Sequence, residues 1–252
     1  TSPFDGLAVD RDGNVLITGG FTGTRDFDPT PDVEDWHTSE GSGSAYVTKL
    51  SGDGDYLWTR QIGGYDGSAS GKGIAGNPAG GIALTGFFHD TVDFDPGEGT
   101  YERTALSVDA FVDPDVFVTM LDADGSHVWT RTFGGEEDDS GKVLTFDGDG
   151  SVVVGGYYRT DADFDPGCAE DIRENSTGAG LGYIVKLGCV PAAADGNSDG
   201  VVNLLDLATF QNCFSGSTPT TCNLGCYQFD FDGDDDIDLL DFAVFQTLFL
   251  GD

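Results

Sequence analysis

The chain has 252 residues, enough for one large domain or two smaller ones. Its 45 acidic and 11 basic residues give a formal net charge of -34. Nucleic acid and anionic membrane both need a basic surface, so they are excluded as natural partners; cations are favoured, with a salt-adapted acidic surface as the competing reading.

No run approaches the roughly eighteen apolar residues of a membrane-spanning helix. A start at Thr1 in place of Met predicts a processed form or a fragment, as after removal of a secretory signal. The 18 Phe and 8 Tyr supply a packed core, and 39 Gly predict many turns and short strands.

From the first residues to about 188 the chain repeats. D-F-D-P occurs at 26–29, 93–96 and 163–166, and A-Y-V-T-K-L (45–50), V-F-V-T-M-L (116–121) and Y-I-V-K-L (183–187) follow in step. The period is roughly seventy residues, with units at about 4–64, 65–135 and 136–188. The runs N-V-L-I-T-G-G-F, G-I-A-L-T-G-F-F and S-V-V-V-G-G-Y-Y are β-rich, and D-R-D-G-N, N-P-A-G-G and D-G-D-G-S before them have hairpin-turn chemistry. S-G-D-G-D and D-A-D-G-S join a third strand to a fourth, L-W-T-R-Q-I-G-G (57–64) or V-W-T-R-T-F-G-G (128–135). These short Asp-Gly segments lack a twelve-residue ligand frame, so they read as hairpins.

The predicted fold class is mainly β: a β-propeller-type array of three antiparallel four-stranded repeats over residues 1–188, plus a small α-helical domain over 189–252. The third repeat has no W-T-R strand, which leaves an unpaired edge, and unpaired edges accept strands from other chains. Copies of the chain are therefore expected to complete a ring or to join head-to-tail in a filament; a piece of a longer array is the alternative.

Each D-F-D-P carries two carboxylates, Asp26 and Asp28, Asp93 and Asp95, Asp163 and Asp165. Alternate residues of an extended segment share a side, so each pair is a candidate cation site with the Phe turned into the sheet. The other reading is an Asp-capped turn before a rigid Pro. Asn175 begins an N-S-T glycosylation sequon. His37, His89 and His127 occupy unrelated repeat positions, and there is no P-loop or dinucleotide fingerprint; no enzyme is expected.

Beyond 188 the pattern changes. D-G-N-S-D-G-V-V-N-L-L-D-L-A-T-F-Q (195–211) and D-F-D-G-D-D-D-I-D-L-L-D-F-A-V-F-Q (230–246) align without a gap. Oxygen-bearing side chains recur at positions 1, 3, 5, 9 and 12, with a peptide carbonyl at 7, which is the spacing of a calcium loop. The predicted ligands of Ca2+ are Asp195, Asn197, Asp199, Val201 by its backbone, Asn203 and Asp206 in the first loop. In the second they are Asp230, Asp232, Asp234, Asp236 by its backbone, Asp238 and Asp241. Leu207, Phe210 and Phe214 share a helical face, as do Phe242, Phe245 and Phe249, and a helical core is expected there. Four of the five cysteines flank the loops. Cys213–Cys222 and Cys189–Cys226 are the expected disulfides, with Cys168 left over; other pairings remain open.

The repeats resemble the SBBP-type β-propeller repeats of secreted bacterial proteins, through A-Y-V-T-K-L-S-G-D-G-D-Y-L-W-T-R-Q-I-G-G and the G-G-F-T-G-T-R-D-F-D-P and T-G-F-F-H-D-T-V-D-F-D-P strings. The tail resembles a type I dockerin. That resemblance implies attachment through a cohesin module to an extracellular scaffold or surface. It also implies that loop positions 10 and 11, Leu204–Leu205 and Leu239–Leu240 here, are where a Ser/Thr pair often contacts cohesin. Leucines there imply packing against the repeat domain or a neighbouring subunit instead. The expected function is a secreted, calcium-stabilised, non-enzymatic assembly protein. Its expected partners are other copies of itself, or a cohesin-like or surface protein. A glycan- or protein-binding propeller module is the alternative.

Overall fold

A computed structural model describes residues 4–39, 41–64, 67–78, 80–106, 113–148, 150–164, 171–187, 207–208, 210–211, 229 and 239–250. Two compact units divide the chain: Thr1–Phe164 with Ile172–Gly188, and Asp165–Asp171 with Cys189–Asp252.

The first unit is built of antiparallel strands. The first repeat forms β1 (Gly6–Val9), β2 (Val15–Phe21), β3 (Thr24–Asp26), β4 (Trp36–Thr38), β5 (Ser44–Leu50) and β6 (Tyr56–Ile62). The second forms β7 (Ser68–Gly76), β8 (Ile82–His89), β9 (Thr91–Asp93), β10 (Glu102–Thr104), β11 (Asp115–Leu121) and β12 (His127–Gly135). The third forms β13 (Ser140–Phe146), β14 (Val152–Tyr158), β15 (Ala162–Asp163), β16 (Ile172–Arg173) and β17 (Leu181–Leu187). The main sheets run β1-β2-β5-β6, β7-β8-β11-β12 and β13-β14-β17. Among the described residues the third sheet has three strands, and no sheet closes on itself.

Turn chemistry sets the register. Asp10 N donates to Asn14 O at 2.9 Å and Gly13 N to Asp10 O at 3.1 Å, with Gly13 at φ 85°. The same pair of bonds recurs at Ser51, Asn77, Asp122 and Asp147. This is the three-residue hairpin loop ending in a left-handed glycine. Its carboxylates hold backbone: Asp10 Oδ1 accepts from Asp12 N and Asn14 N, and Asp122 Oδ1 from Asp124 N and Ser126 N.

The D-F-D segments are not plain loops. The first Asp of each ends the leading strand of a small hairpin, β3-β4, β9-β10 or β15-β16, set between the second and third main strands. The glycine pair ending each fourth strand docks on the next repeat's hairpin. Gly63 and Asp93 exchange two backbone bonds, at 3.2 and 3.3 Å. Gly134 pairs with Asp163 and Gly135 with Ala162. Local repetition of sequence therefore becomes a chain of inter-sheet latches.

One face of each sheet packs on the opposite face of the next. Leu16, Ala45, Val47 and Ile62 of the first pack with Ile82, Leu84, Phe94 and Phe117 of the second. The equivalent Ala83, Val116, Val118 and Phe133 of the second pack with Val152, Val154, Phe164 and Tyr183 of the third. Thr18 and Thr85 mark the tightest approach. Each hydroxyl donates to a neighbouring-strand carbonyl, Tyr46 O or Phe117 O, at 2.7 Å. A Cβ on Gly71 would lie 2.1 Å from Thr18 Oγ1, and one on Gly141 2.0 Å from Thr85 Oγ1. Only a residue without a side chain lets the sheets come this close.

The second unit holds the helix α1 (Leu239–Leu250), and Leu207, Ala208, Phe210 and Gln211 are also helical. Phe210 and Phe245, each 1% exposed, lie 5.0 Å apart between ring centroids, with Phe229 and Phe242 against them. Phe210, Phe242 and Phe245 come together as the helical faces predict, joined by Phe229, while Phe214 lies outside the described residues. No helix among the described residues is long and apolar enough to cross a membrane.

Overpacking a close sheet contact costs about 1–3 kcal/mol. Gly71→Ala is therefore expected to destabilise the first unit by that amount in denaturant unfolding followed by tryptophan fluorescence. Thr18→Ala in the same molecule should recover part of the loss, because it removes the hydroxyl that the new methyl meets.

Candidate functional site

Of the twelve predicted loop ligands, Asp241 lies among the described residues; Asp195, Asn197, Asp199, Val201, Asn203, Asp206, Asp230, Asp232, Asp234, Asp236 and Asp238 lie outside them. Asp241 sits in the first turn of α1 and is fully buried, beside the phenylalanine cluster. A carboxylate placed at a helix start and shut off from water is costly unless a cation or donors meet it. That environment fits a calcium ligand. The two residues before it, Leu239 and Leu240, are 71% and 61% exposed. The cysteines at 168, 189, 213, 222 and 226 lie outside the described residues, so the expected Cys213–Cys222 and Cys189–Cys226 pairings do too.

The D-F-D carboxylates are placed more fully. Asp26 Oδ1 accepts from Asp28 N at 3.1 Å and Asp35 N at 2.9 Å. Asp93 Oδ1 accepts from Asp95 N at 2.9 Å and Tyr101 N at 2.8 Å, the same bonds one repeat later. Asp28 and Asp95 each cap the amide two residues on, Thr30 N and Gly97 N. One oxygen of each is thus spent on backbone, the capped-turn arrangement. Asp163 lies in β15, and Asp165 lies outside the described residues. Among the described residues no group of three or more His, Cys, Asp or Glu is arranged to hold a metal. The intervening Phe does turn into the sheet: Phe94 is fully buried and packs on Phe88 and Phe117.

The Asn175 side chain of the sequon is buried in a turn. The side chain is 4% exposed, and its Nδ2 donates to Arg159 O and to Ala179 O. The nitrogen a glycan would occupy is a buried turn clamp in the folded domain. The histidines do not converge: His37 pairs with Asp35 at 3.2 Å, and His127 bonds Thr130 Oγ1 at 2.9 Å while packing on Tyr101.

Two carboxylates that the sequence reading passed over are buried where the second and third sheets meet. Asp115 is 2% exposed and Asp139 is 1% exposed. Asp115 Oδ2 accepts from Leu106 N at 2.7 Å, and its Oδ1 is buried without a hydrogen-bond partner. Asp139 Oδ2 accepts from Gly135 N at 2.7 Å and Oδ1 from Arg159 N at 3.2 Å. Burial pushes the Asp115 carboxyl up to about 6. Burial, aided by the like charges of Asp115 and Asp138, pushes Asp139 up to about 7. The signal that could have found them is repeat comparison. Ser44 pairs with Phe21 as Asp115 pairs with Phe88, so Asp115 stands in the place of Ser44. Ser140 pairs with Tyr157 as Ser70 pairs with Phe87, which puts Asp139 in the place of Ala69.

Among known proteins, the dockerin type I domain matches residues 193–250. The calcium-loop segment is therefore a type I dockerin domain, a class that binds calcium. No curated protein matches the chain.

The raised carboxyls fix a pH dependence. A group whose folded pKa is raised stabilises the fold below its ordinary value, and that contribution is lost as pH rises through the folded value. In chelator, the melting temperature of the first unit should fall as pH rises from about 4 to about 7. Asp139→Ala should flatten that fall.

Proposed function

We propose that this chain is a secreted, non-catalytic structural protein that attaches, through its calcium-loaded dockerin domain, to a cohesin-type module on an extracellular scaffold or surface. The observation that carries this is the dockerin match over 193–250, with the buried Asp241 at the position of a loop's last ligand. Calcium supplies the positive charge that lets crowded carboxylates converge. The exposed Leu239–Leu240 pair then offers an apolar contact in place of hydroxyls. The three sheets read as successive blades of a propeller-type array with SBBP-like repeats.

Association between copies has its own support. Ile184 of the third sheet is 81% exposed, whereas its equivalents Val47 and Val118 are fully buried against the next sheet. At the other end Leu7 is 64% exposed, where its equivalent Ile74 is 7% exposed. The two open faces are those that meet inside the chain, so copies joined head-to-tail would bury both.

The test is binding of the full chain to immobilised cohesin modules, with particle size measured in parallel. Calcium-dependent capture that chelator abolishes is expected, weakened at least tenfold by Leu239→Asp with Leu240→Asp, as for a central contact residue. Ile184→Asp should reduce particle size without touching capture. Capture indifferent to calcium would sink the attachment reading, and a monomer at high concentration in calcium would sink association.

A further inference from the structure

We propose that Asp115 and Asp139 form a third kind of cation site, holding a divalent ion of the calcium class between the second and third sheets. The internal repeat is the control. The equivalent junction between the first and second sheets has the same strands and the same glycine pair, yet it uses Ser44 and Ala69. Two buried acids are therefore not a requirement of sheet packing.

Geometry brings their oxygens to one place. A Cβ on Gly134 would lie 2.5 Å from Asp115 Oδ1 and 2.8 Å from Asp139 Oδ2. Both oxygens pack against Gly134, whose missing side chain lets them converge, and Asp115 Oδ1 is buried there without a hydrogen-bond partner. The charges acting on Asp139 are like charges, from Asp115 and Asp138. Arg159, whose amide bonds Asp139, turns its guanidinium to Asp138 at 3.7 Å. A buried carboxylate pair without a counter-charge is unfavourable, and a hard divalent ion resolves it with peptide carbonyls and water completing the shell. Two carboxylates predict affinity in the range of extracellular calcium modules, about 10⁻⁴–10⁻³ M. Such an ion would pin the second sheet to the third.

All three tryptophans, Trp36, Trp58 and Trp129, lie in the sheet unit, so their fluorescence reports on the unfolding of that unit. The experiment titrates calcium into chelator-stripped full chain at pH 8 and follows tryptophan-detected melting. It compares wild type with Asp115→Ser/Asp139→Ala, which copies the first junction, and with the isosteric Asp115→Asn/Asp139→Asn. Wild type should rise by roughly 5–10 °C at a hundredfold excess of calcium over Kd. Both variants should lose most of that rise. Equilibrium dialysis should find one calcium fewer in the variants, a readout that does not depend on melting. Equal calcium stoichiometry in all three proteins would overturn the proposal. So would a wild type stabilised by acid alone, with no response to calcium, which would assign the pair a shared proton instead.

Discussion

The docking of one repeat's last strand over the next repeat's D-F-D hairpin is the contact on which the rest of the sheet unit depends. Ile62 and Phe133, near the ends of β6 and β12, close the aromatic clusters around Phe94 and Phe164. The glycines beyond them pair with the hairpin backbone. Without that cap, Phe27 of the first repeat is half-buried, although Phe21 and Tyr46 pack against it. The same side chain in the same motif thus changes its burial with the presence of one strand from the preceding repeat.

Acidity serves two different ends in this chain. In the hairpin turns and the D-F-D segments, carboxylates accept backbone amides and replace the hydrogen bonds that water would otherwise make. Two of the turn carboxylates also meet lysine, Asp10 with Lys49 at 3.1 Å and Asp147 with Lys186. Asp115, Asp139 and Asp241 are different, because they are shut off from solvent. Buried charge of this kind needs a specific partner, and the dockerin domain's calcium chemistry is the established instance.

Much of this was legible in the residues. The period and the glycine turns follow from local patterns that survive folding unchanged, and the calcium-loop segment was legible from its ligand spacing. The hairpins at the D-F-D segments were not, because strands of two or three residues are too short to show a period and are fixed by pairing with a partner strand about ten residues away. The burial of Asn175 was hidden for a related reason: a sequon records three residues, and its amide is held by Arg159 O and Ala179 O. Asp115 and Asp139 stand 24 positions apart and meet only once two sheets are in register. In a chain with 45 acids, composition alone could not single them out.

The direction of the latch has a consequence for synthesis. In both complete junctions the capping strand precedes the hairpin it covers, β6 before β9 and β12 before β15. A chain emerging from its N-terminus therefore presents a finished lid before Phe94 and before Phe164, the aromatic residues those lids cover. Each new repeat can fold onto a surface already in place, one repeat at a time, while the face that meets the following repeat stays open until that repeat arrives.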